Sequence, residues 1–96
     1  MLKNMFKSYV LSTKIYKVIE KELGLEDLEN FDFQGCNLYV RCNYLTIDNC
    51  QGELYLIPYG KVNGHLIDRD GIYKSNADFP DWVVSKLEDL YAFLKA

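Results

Sequence analysis

Met5, Tyr9, Ile15, Tyr16, Ile19 and Leu23 recur at intervals that place them on one broad face at 100° per residue. This spacing predicts an amphipathic helix from Leu2 to Leu23, with Gly24 in the C′ position where a left-handed residue ends helices cheaply. Lys3, Lys7, Lys14, Lys17 and Lys21 fall within an arc of about 80° on the opposite side, with Val10 the one apolar residue inside it. After an acidic connector around Glu26–Asn30, the stretch Asn37–Ile47 alternates as a strand does. Leu38, Val40 and Cys42 point one way and Tyr39, Arg41 and Asn43 the other, and a bulge near Asn43-Tyr44 is expected where the parity slips. Asp48–Gly52 reads as a hairpin turn leading to a second strand, Glu53–Tyr59. In that strand Leu54 and Leu56 are expected on the core side and Tyr55, Ile57 and Tyr59 on the other. Pro58, which cannot donate to a ladder, marks an edge or bulge. Asn63-Gly64 and Asp70-Gly71 are further hairpin signals, leaving short strands near His65–Asp68 and Ile72–Lys74. Asp78 then reads as the N-cap of a last helix, in which Phe79, Val83, Leu87, Leu90 and Leu94 make an apolar stripe.

The order of elements predicts an α+β fold: an N-terminal helix, an antiparallel meander of three to four strands, and a C-terminal helix, with both helices on one face of the sheet. Residues 1–96 make a single domain, long enough to bury a core without disulfides or metals. Three cysteines, Cys36, Cys42 and Cys50, leave one unpaired under any scheme, which suits a reducing compartment. No apolar run is long enough to cross a bilayer and no secretory signal is readable, so a cytoplasmic location is expected. The net charge of −3 conceals an asymmetry. Residues 1–24 hold five lysines against two glutamates, whereas the remainder holds six basic and twelve acidic residues.

A five-residue recurrence, Asp27-Leu28, Asp32-Phe33 and Asn37-Leu38, resembles a fragment of the pentapeptide-repeat solenoid pattern. It breaks at Asn43-Tyr44, and stacked units need several neighbours to bury a core, so the meander is the better reading. Chemical constellations are sparse. Catalysis by a histidine-activated thiol would need His65 with one of the three cysteines, none of which lies in a nucleophile turn. The spacing from Cys36 through Cys42 and Cys50 to His65 lacks the CxxC knuckle of a zinc site. Asp68-Arg69-Asp70-Gly71 has the wrong spacing for an EF-hand and reads as a turn, and no phosphate-binding glycine loop is present. Neither a metal nor a cofactor is expected, and nothing in these patterns points to an enzyme.

Two surfaces remain. With the helices covering one side of the sheet, Tyr39, Arg41, Tyr44, Tyr55 and Tyr59 are expected on the other, near the turn acids Asp68 and Asp70. Tyrosine and arginine are enriched at binding hot spots, and tyrosine is equally a good strand former. The lysine stripe is the secondary candidate, for an acidic partner, nucleic acid or anionic lipid. In build the chain resembles small phage- or plasmid-encoded inhibitors of host defence nucleases, such as anti-CRISPR and anti-restriction proteins. That resemblance is one of size, acidity and aromatic content and covers no motif. The expectation is therefore a non-catalytic module that binds another protein, as a monomer or a homodimer, with no membrane and no direct nucleic-acid partner. A nucleic-acid or membrane-surface binder using the lysine stripe is the first alternative, and a small His/Cys-dependent enzyme the second.

Overall fold

In the computed structural model of the chain, the described residues are 3–23, 28–41, 43–60 and 78–96. The helix α1 spans Lys3–Leu23, the strands β1 to β4 span Leu28–Phe33, Cys36–Arg41, Tyr44–Asp48 and Leu54–Pro58, and the helix α2 spans Asp81–Lys95. The four strands form one antiparallel sheet in sequence order. The hairpin signals at Asn63-Gly64 and Asp70-Gly71 and the short strands expected around them lie outside the described residues.

The stretch expected to be one long bulged strand is two strands. Arg41 is the register partner of Tyr44, so the chain reverses within two positions. The slip in parity is the signature of that reversal: Leu45 pairs with Val40 and Ile47 with Leu38, which returns both to the face of Leu38 and Val40. The ladder irregularity lies instead in β1, between Leu28 and Phe31. The five-residue recurrence around Leu28–Leu38 falls on the β1–β2 hairpin and not on a solenoid coil. Its turn is Gln34-Gly35, both at positive φ, 51° and 82°, as a tight two-residue reversal of right-twisted strands requires. Only Gly35 adopts that conformation without cost.

Residues directly opposite one another in a ladder share a face. Leu38, Ile47 and Tyr55 therefore stand on one side, together with Val40, Leu45 and Ile57. These meet Ile15 and Ile19 from α1 and Val83, Leu87 and Leu90 from α2 in a single buried cluster, so both helices cover the same side. Tyr39, Thr46 and Leu56 form a row on the reverse. The phase of β4 is thus opposite to expectation: Tyr55, Ile57 and Tyr59 face the helices, and Leu54 and Leu56 face away. Pro58 ends β4, an edge strand of the sheet among the described residues, where its missing N–H costs no ladder bond.

A polar clasp joins the starts of the two helices. Asn4 Nδ2 donates to the Phe79 carbonyl and to Asp81 Oδ1, both at 2.8 Å, and the Met5 N–H donates to Asp78 Oδ1 at 2.6 Å. Asp78, expected to cap α2, caps α1 instead, and α2 begins after Pro80 without a side-chain cap. At the other end, Val18, Ile19 and Lys21 share a groove with Phe93, Leu94, Lys95 and Ala96, so the helices run in the same direction.

The clasp makes stability depend on acid. Desolvation, the largest influence on Asp78, pushes its carboxyl up, but the N–H groups of Asn4, Met5 and Phe79 together hold it below the usual aspartate value. A depressed folded pKa means that the unfolded chain binds the proton more readily, so this stabilisation is present above the unfolded pKa, about 3.9, and is lost as pH falls through the lower folded value. Urea midpoints measured below about pH 4 should therefore fall more steeply for the wild type than for Asp78→Asn. Parallel curves would remove the clasp from the acid response.

Candidate functional site

Structure separates the two surfaces singled out by the sequence. The tyrosines do not form a common open patch. Tyr59 is 3% exposed and stacks on Tyr16 of α1, with ring centroids 3.9 Å apart at 21°. Tyr55 is half-buried on the helix side, its ring edge-on to Phe79 at 5.6 Å and to Trp82 at 5.7 Å. Burial, then the Glu53 carboxylate and its hydrogen bond to the phenol, push the Tyr55 hydroxyl above its ordinary value. Tyr44 and Tyr39 do stand on the reverse side, Tyr44 buried and Tyr39 half-buried. Thr46, between Tyr39 and Leu56 in the row, is only 1% exposed. Arg41 lies at the end of β2, and Asp68 and Asp70 lie outside the described residues.

α1 holds the end of β4 with a second set of polar contacts. Ser12 Oγ donates to the Pro58 carbonyl and Tyr9 OH to the Gly60 carbonyl, while the Gly60 N–H donates to Thr13 Oγ1 at 3.2 Å. These groups lie on the inner half of α1 and fix its rotation about its own axis. The fixed rotation turns the lysines outward.

Lys3, Lys7, Lys14, Lys17 and Lys21 are all exposed. Among the described residues none of the five is in an ion pair; Lys14 Nζ lies 5.9 Å from the centre of the Tyr91 ring, a cation–π contact that leaves its charge unneutralised. The helix of 21 residues is about 31 Å long, so the stripe extends over most of one side of the molecule. Two apolar rings stand out beside these cations. Phe6, at the border of the arc and one turn from Lys3 and Val10, is 69% exposed. Phe93 is 57% exposed and shares with Lys21 and Lys95 the groove at the far end of α1, about 520 Å³ in volume. The sequence pattern contained the lysines; the exposed phenylalanines beside them were not part of that reading. Phe6 lies just outside the arc, and its helical position alone does not say whether a neighbouring element covers it.

The Cys36 thiol is placed without activation. Cys36 is buried, and its burial, only partly countered by Lys86, pushes the thiol up, away from the thiolate a nucleophile needs. Cys50 is exposed in the β3–β4 turn at φ 63°, its N–H donating to Asp48 Oδ1 at 2.8 Å. His65 and Cys42 lie outside the described residues. Among the described residues no group of three or more His, Cys, Asp or Glu side chains could hold a metal ion, and no helix is long and apolar enough to cross a membrane. Comparison with family models, curated proteins and solved structures finds no match.

Proposed function

We propose that this chain is a non-catalytic module that acts by stoichiometric binding, and that its working surface is the outer face of α1, which meets an acidic counterpart on another macromolecular surface. The observation that supports this reading is the run of five exposed lysines opposite the core, none of them ion-paired among the described residues, held in a fixed orientation by the bonds from α1 to Pro58 and Gly60.

Immobilised heparin, a polyanion without acyl chains or bases, tests the reading. Wild-type protein should be retained at low salt and released steeply as salt rises, because each neutralised anion frees counterions. Replacing Lys7, Lys14 and Lys17 together by glutamine should weaken retention on the order of a hundredfold with the fold intact, since each lysine at an anionic surface contributes about a fivefold gain. Passage of the wild type through the matrix at low salt would end the proposal.

A further inference from the structure

Resting on that reading, we infer that the acidic counterpart is an anionic lipid bilayer, on which α1 lies flat with Phe6 inserted among the headgroups. Charge complementarity alone would fit any polyanion; the exposed rings select among them. Phe6 leaves 69% of its surface in water although it is one of the large apolar side chains of the helix. In the adjoining arc stand Val10, half-buried, and lysines whose methylene stems can lie along an apolar boundary while their ammonium groups reach phosphates. Interfacial helices pair lysines with apolar side chains that enter the headgroup boundary; the main apolar face of α1 is buried in the core, so here Phe6 and Val10 beside the lysines supply that apolar contact. The second exposed ring, Phe93, adjoins the other end of α1 through the groove it shares with Lys21, so apolar points bracket the cationic stripe. Nucleic acid is the poorer occupant. The arc holds no arginine, asparagine or glutamine for planar bidentate contacts to base edges, and the convex outer face of one helix offers no groove to track a backbone.

The test uses the full chain, with vesicles of phosphatidylcholine with or without phosphatidylserine, and duplex and single-stranded DNA in parallel. Co-sedimentation with the phosphatidylserine vesicles and not with phosphatidylcholine alone is expected. Phe6→Ser should lower that partition about tenfold, as expected for withdrawing a partly inserted aromatic ring, while leaving heparin retention and the urea midpoint unchanged. Three outcomes overturn the inference. If DNA binds and phosphatidylserine vesicles do not, the basic face keeps its role and the bilayer is excluded. Equal partition of wild type and Phe6→Ser excludes insertion of the ring. Loss of heparin, vesicle and DNA binding alike removes both this inference and the reading beneath it.

Discussion

Tyr59→Ala lowers the stability of the folded chain by about 3–5 kcal/mol, the range for deleting a buried aromatic ring. The ring is 3% exposed and lies flat against Tyr16 at 3.9 Å, so its removal opens a cavity between β4 and α1 and takes away the stacked partner as well. The neighbouring bonds from Ser12 to Pro58 and from Tyr9 to Gly60 limit how far α1 can move to fill the space. Urea denaturation followed by tryptophan fluorescence measures the effect, because Trp82 packs on Tyr55 in the same sheet side. A change below about 1 kcal/mol, the size expected of a surface tyrosine, would mean that Tyr59 does not face the helices.

Leu87→Ala costs about 2–5 kcal/mol, whereas Phe93→Ala, on the same helix, changes stability by no more than about 0.5 kcal/mol. Leu87 is wholly buried in the cluster that joins both helices to the sheet. Phe93 is the larger side chain, yet it is mainly exposed, its ring tilted at 5.5 Å from Phe33. The contrast tests position against hydrophobicity: ranking the two by apolar size alone predicts the reverse order. Denaturant midpoints of the two variants, measured at equal slope, decide between them.

Helices were legible in the sequence because their apolar residues repeat at a period that polar residues interrupt. The lysine arc was legible for the same reason. Strands gave less. β1 was hidden because Leu28-Glu29-Asn30-Phe31-Asp32-Phe33 is acidic and contains a ladder irregularity, which spoils simple alternation. β4 has an apolar residue at nearly every position, so its period of two has no contrast and cannot assign a face. Only the pairing of Ile47 with Tyr55 settles which side carries the aromatic rings. The same missing contrast dispersed the expected tyrosine patch. Asp78 was legible as a capping residue, but its helix was not: the donors that complete the bond come from Asn4 and Met5, at the other end of the sequence.

That distance bears on how the chain comes into being. Asn4 and the Phe79 carbonyl that it grips are 75 positions apart, and the α2 side chains that cover the inner face of α1 come later still. During translation the first helix therefore emerges long before the residues that cap and shelter it. Until they arrive, Ile15 and Ile19 can be covered only from the sheet side, and the part of α1 that faces α2 stays open to solvent.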